Sequence, residues 1–175
     1  MNLSNNQRIW ICQVCWNLGV VHARAEDYLN GQFGFKWSYH FASGGVSDNS
    51  EIEEFAFKSG FYYLTAKMCT REDQEIGDDD LCVLEYCKSV SKNHKDFEIQ
   101  LKCLEIEILL RTHEWDKLKD FLERCELSFE TIGELVLKAT ENVPLSIYRL
   151  ILEKLTEDEF NSKDFDIVRF SELFR

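Results

Sequence analysis

A chain of 175 residues with 45% hydrophobic and 13% aromatic content, one proline and eight glycines can bury a core. That composition excludes disorder and a turn-rich β sandwich. A net charge of −12 without any run of Lys and Arg argues against a nucleic-acid surface, because phosphate binding draws on cationic side chains. Seven cysteines in no regular framework, an N-terminus (Met1 to Asn6) without a signal-peptide pattern and no apolar run of about 18–20 residues point to a reducing interior, cytosol or nucleus.

Apolar residues recur at three- and four-residue spacing almost throughout, so the expected class is all-α. Helix one is expected over about Asn6 to Ala23, carrying Ile9, Val14, Trp16 and Val20. Tyr28-Leu29-Asn30-Gly31 reads as a break, which leaves Phe33 to Ser43 as the solid part of helix two, with Phe35, Tyr39 and Ala42 on one face. Gly44-Gly45 should end it in the left-handed conformation. Ser50-Glu51-Ile52-Glu53 matches a capping box and starts helix three, to about Met68, striped by Ile52, Phe55, Ala56, Ser59, Tyr63 and Ala66. Glu72 to Asp80, with six acids and a glycine, is expected as an exposed loop.

Helix four covers about Leu81 to Ser91. Helix five, Asp96 to Thr112, has the cleanest period, Phe97, Leu101, Leu104 and Ile108, widened by Cys103, Ile106 and Leu110. Helices six (Glu114 to Cys125) and seven (Phe129 to Thr140) follow, and Pro144 opens an eighth to about Leu155, where its missing N–H costs little. A ninth, near Ser162 to Phe174, ends on Phe165, Phe170, Leu173 and Phe174. So apolar a terminus suits a segment of a longer helical solenoid, or one end of its own interface. About nine helices with short links make a single helical-repeat domain over residues 1–175, a tetratricopeptide-like α-solenoid segment.

Few residues offer chemistry. Cys12-x-x-Cys15 is half of a metal or redox motif, but a structural zinc site needs four ligands and only His22 lies near in sequence. The pair falls mid-helix among Ile, Val and Trp, where packing is the simpler role. His22, His40, His94 and His113 share no gathering spacing, no nucleophile elbow or phosphate-cradling glycine motif is present, and Asp78-Asp79-Asp80 lacks the ligand pattern of a calcium loop. Trp16-Asn17-Leu18-Gly19 carries more information. Helix-hairpin repeats place Trp, Leu and Gly at offsets in a first helix and small and aromatic residues in a second, and Tyr39-His40-Phe41-Ala42 supplies such a partner. Glu114 to Leu122 starts the second helix of another such unit.

The ordered series Arg8-Ile9-Trp10, Trp16-Asn17-Leu18-Gly19, Phe35-Lys36-Trp37-Ser38-Tyr39 and Cys103-Leu104-Glu105-Ile106-Glu107 continues through Leu118…Phe121-Leu122-Glu123, Phe129-Glu130-Thr131-Ile132 and Pro144-Leu145-Ser146-Ile147. It resembles the C-terminal part of the meiotic crossover scaffold family that includes Zip-four, sporulation protein twenty-two and testis-expressed protein eleven. The resemblance covers most of the chain, and the order and spacing of the motifs carry it. The stretches Tyr28 to Phe33 and Glu72 to Asp80 have no counterpart in the pattern. The resemblance implies a non-enzymatic scaffold without cofactor or metal, in the nucleus on meiotic chromosomes. It also implies protein partners, namely other members of the crossover-stabilising (ZMM) group and synaptonemal complex central-element proteins. No direct nucleic acid, membrane or small-molecule substrate is expected. Aromatic-asparagine pairs in that family are implicated in partner contacts, so Trp16 and Asn17 are the positions carried over. The alternative from another class is a metal-stabilised or thiol-redox helical protein using Cys12 and Cys15. A helical enzyme handling acyl groups or nucleotides lacks any convergent polar set.

Overall fold

The computed structural model describes residues 3–44, 50–70, 75–124, 143–151 and 153. Among these the chain is all-helical, without a strand: α1 (Asn5–Arg24), α2 (Tyr28–Ser43), α3 (Ser50–Cys69), α4 (Asp78–Val90), two short 3-10 turns (Ser91–Asn93 and Lys95–Phe97), α5 (Glu98–Arg111), α6 (Trp115–Arg124) and α7 (residues 145–151). The expected helices at Phe129 to Thr140 and Ser162 to Phe174 fall outside the described residues. The chain divides into two compact units, Met1–Glu105 and Ile106–Arg175.

In the first unit α2 packs against both α1 and α3, and α4 packs on α3. Ser4 starts α1 with a capping box, its Oγ accepting from Gln7 N while Gln7 Oε1 accepts from Ser4 N. The turn into α2 is a Schellman closure: Asp27 N–H donates to His22 O and Glu26 N–H to Ala23 O, with Glu26 at φ 59°. Asp27 then caps α2, accepting from Asn30 N. This corrects the expected break at Tyr28 to Gly31, which are the first turn of α2. Gly31 faces α1 rather than ending a helix: a Cβ there would lie 3.3 Å from Ala23 N and Gly19 O. At Gly34 the same atom would stand 2.4 Å from Gly19 N, so the two backbones touch at this crossing. The hairpin partner of Gly19 is therefore Gly31, Gly34 and Phe35, not Tyr39 to Ala42. Gly44 ends α2 at φ −72°, not in the left-handed conformation.

Buried polar atoms tie the three helices together. Ser38 Oγ donates to Cys12 O (3.0 Å), Ser59 Oγ donates to Ser38 Oγ (2.8 Å), and the Cys12 thiol reaches Ser38 O (3.6 Å). Each hydroxyl is fully enclosed and each is satisfied, so their burial costs little. Around them pack Ala42, Ile52 and Ala56, with Ile9, Phe41, Phe55 and Tyr86 at the edge. Further along α3, Phe57 stacks on His94 (3.9 Å between centroids) and both Phe57 and Phe61 meet Phe97 edge-on. Phe97 joins this cluster from a 3-10 turn, and α5 begins at Glu98 rather than at the expected Asp96.

The second unit is built on Ile106, Leu109, Leu118 and Leu122, with Val143, Ile147 and Ile151. Its hairpin turn repeats the first one: Glu114 N–H donates to Leu109 O, His113 N–H to Leu110 O, and His113 takes φ 56°. Counted from these left-handed residues, Gly19, Gly31 and Phe35 in α1 and α2 occupy the positions of Ile106, Leu118 and Leu122 in α5 and α6. In α7, Pro144 O accepts from Ile147 and Tyr148, as a residue just ahead of the helix should.

Candidate functional site

Trp16 and Asn17 sit on the face of α1 that looks toward α3. Gln13, Trp16 and Asn17 from α1 and Glu51, Glu54, Phe55 and Lys58 from α3 enclose a groove of about 350 Å³. Trp16 is half-buried, held edge-on by Phe35 (5.2 Å) and Tyr62 (5.3 Å), while those two rings lie 5.7 Å apart. Its indole is therefore fixed in orientation with one side toward the groove. Asn17 is exposed on the rim beside Gln13, where an amide offers both a donor and an acceptor to a peptide backbone. On the opposite wall Lys58 donates to Glu54, a hydrogen bond that holds the Glu54 carboxyl below its ordinary range. The groove thus has an aromatic floor, an amide rim and a charged wall, with no nucleophile–base pair in it.

A second groove, about 500 Å³, is lined by the other helices: Phe33, Lys36, Trp37, Tyr39 and His40 of α2, Tyr63 of α3, and Asp79, Cys82 and Val83 of α4. Phe33 and Trp37 are each more than half exposed there. Lys36 Nζ stands 5.5 Å above the Tyr63 ring, and the Trp37 and His40 rings meet edge-on.

Cys12 and Cys15 are neighbours on α1, Cys12 enclosed and Cys15 half-buried. Burial, with the neighbouring Cys15 adding to it, pushes the Cys12 thiol up to about 11, and burial also raises Cys15. A redox nucleophile or metal ligand needs the opposite direction, a stabilised thiolate. His22 is engaged with Asp27 at 2.9 Å, and the described residues contain no cluster of three or more His, Cys, Asp or Glu able to hold a metal.

Sequence reasoning missed Asp80. It lies in the first turn of α4, not in an exposed loop, and only 3% of its surface is accessible. Lys67 Nζ (2.6 Å) and Gly77 N (2.8 Å) donate to Asp80 Oδ2, and the Tyr63 hydroxyl donates to Oδ1. Burial pushes this carboxyl up, but the hydrogen bonds from Lys67, Tyr63 and Gly77 outweigh it and hold the group below its ordinary value. Burial and the same bond to Asp80 push the Tyr63 hydroxyl well above its own. The network fastens α3 to α4. The signal available in the sequence was the Gly77-Asp78-Asp79-Asp80 pattern, in which an acid three residues after a cap reaches back to it.

No family model matches the chain, and neither does any curated protein or solved structure.

Proposed function

We propose that this chain is a protein-interaction segment of a tetratricopeptide-like helix-hairpin solenoid, acting without catalysis as a scaffold of the meiotic crossover family it resembles. The observation that carries the reading is the groove between α1 and α3, with Trp16 as an oriented aromatic anchor and Asn17 exposed beside it. Oriented aromatics in clefts are the typical anchors of protein interfaces. The repeat reading draws on spacing. Tetratricopeptide units set Leu-Gly in the first helix against a small residue and an aromatic four positions later in the second. Gly19 faces Gly31 and Phe35 in this way, and Gly60 of α3 meets a pair of the same spacing, Val83 and Cys87. Consecutive first helices then line one face, which is where such arrays bind partner segments.

On this reading the partners are other members of the crossover-stabilising group and synaptonemal complex central-element proteins, met in the nucleus on meiotic chromosomes. Asn17→Ala provides the test, because Asn17 is exposed and its loss leaves the core intact. Co-purification of the full protein from meiotic cells should lose one of these partners at least ten-fold, with an unchanged circular dichroism melt. Unchanged recovery of every such partner would refute the role of the groove.

A further inference from the structure

We infer that the groove between α2 and α4 is a second docking surface, shaped for an acidic amphipathic helix. Leu29, Phe33 and Trp37 fall on successive turns of α2 and remain 51%, 54% and 52% exposed, a continuous apolar stripe leading into the groove. Exposed aromatics at helical spacing match the helix-in-groove mode, in which a partner inserts apolar side chains at three- and four-residue intervals.

Charge selects the partner's polar face. The chain carries 32 Asp and Glu, yet α2 contains none over its 16 residues. Lys58, Lys67, Lys88, Lys102, Lys117 and Lys119 hold a carboxylate; Lys36, like Lys92 and Lys95, holds none among the described residues, and it stands above Tyr63. Asp79 faces Lys36 from the opposite wall, in the first turn of α4, so the positive charge lies on the α2 side of the groove. Along the apolar stripe of α2 itself, the fixed charge is therefore that of Lys36. This surface is lined by different residues from the Trp16 groove and does not depend on it, so one chain can hold two segments at once.

The test uses two fluorescein-labelled amphipathic peptides of about 18 residues, five helical turns, with the same leucine stripe and a polar face of either Glu or Lys. Fluorescence polarisation at physiological salt should show the Glu peptide binding at least ten-fold tighter, although the chain as a whole is acidic. Lys36→Glu should invert that preference, and Trp37→Ala should lower Glu-peptide affinity at least ten-fold. Asn17→Ala should alter neither, which separates this surface from the Trp16 groove. Absence of binding, equal binding, or tighter binding of the Lys peptide would overturn the inference. So would Glu-peptide binding untouched by Lys36→Glu, which would put the peptide elsewhere, such as on the exposed α1 stripe of Trp10, Val14 and Leu18. Self-association without peptide that Trp37→Ala abolishes would make a second copy of the chain the occupant instead.

Discussion

Gly34→Ala probes the closest approach in the molecule. The added Cβ would stand 2.4 Å from Gly19 N, 2.7 Å from Gly19 Cα and 2.8 Å from Cys15 O, all main-chain atoms that no rotamer change can move. Non-bonded carbon contacts settle at about 3.5–4.0 Å, so α1 and α2 must part by roughly 1 Å. Alanine's better helix propensity contributes about 1 kcal/mol, while overpacking against rigid surroundings costs about 1–3 kcal/mol and occasionally more. Parting the helices also stretches the 3.0 Å bond from Ser38 Oγ to Cys12 O. The expected net loss is about 2 kcal/mol, or roughly 4–8 °C in Tm at about 2–4 °C per kcal/mol. Gly31→Ala is the internal control. Its Cβ would meet Ala23 N and Gly19 O at 3.3 Å, a few tenths short of ordinary contact, so propensity and crowding nearly cancel and stability should stay within about 1 kcal/mol. Urea unfolding followed by circular dichroism and tryptophan fluorescence measures both variants. A Gly34→Ala protein as stable as the parent, or a Gly31→Ala protein equally damaged, would refute the close-crossing account.

Asp80→Asn should cost about 3 kcal/mol in urea unfolding, because it leaves the Lys67 charge, whose side chain is 12% exposed, beside a neutral group. Replacing the set together, Tyr63→Phe, Lys67→Met and Asp80→Leu, should recover much of that loss; a triple variant no better than Asp80→Asn would contradict the role given to the stranded charge. The folded Asp80 carboxyl is held below its unfolded value of about 3.9. Its contribution is thus fully present above about pH 4 and disappears as pH falls through the lowered folded value, so Asp80→Asn should flatten the acid limb of the stability profile. At the alkaline end the signs reverse. Burial raises Cys12 to about 11 and Cys87 to about 12 from 9.0, so both thiols stabilise below pH 9 and lose that effect as pH rises toward 12. Urea midpoints of Cys87→Ala should fall less than the parent's between those limits; an equal fall would show that other groups set the slope.

The long elements were legible where burial follows one period. Ile52, Ala56, Ser59, Tyr63 and Ala66 of the α3 stripe are buried and Phe55 is half-buried; Leu101, Leu104, Ile106 and Ile108 of the helix-five stripe are buried, and Phe97, Cys103 and Leu110 half-buried. Punctuation was read poorly, because glycine and acid have two meanings each. Gly31 looked like a break, but a helix that must touch another backbone needs the missing Cβ more than it suffers the lost propensity. Asp80 looked solvated among five other acids, yet its position after Gly77 and its reach to Lys67 and Tyr63, residues 13 and 17 positions earlier, bury it. Long-range partners of that kind leave no local periodic trace. The Trp16-Asn17 pair could be marked from the sequence, but the groove could not, since four of its seven lining residues come from α3.

Crosslink mapping of the full protein purified from meiotic cells, using an amine-reactive reagent, tests the docking groove most directly. Lys58 lies on the groove wall and supplies the amine. The account predicts a crosslink from Lys58 to a crossover-group or central-element partner in the parent protein, lost in Asn17→Ala while the fold is unchanged. Crosslinks to such a partner that avoid Lys58, or that persist undiminished in Asn17→Ala, would contradict it.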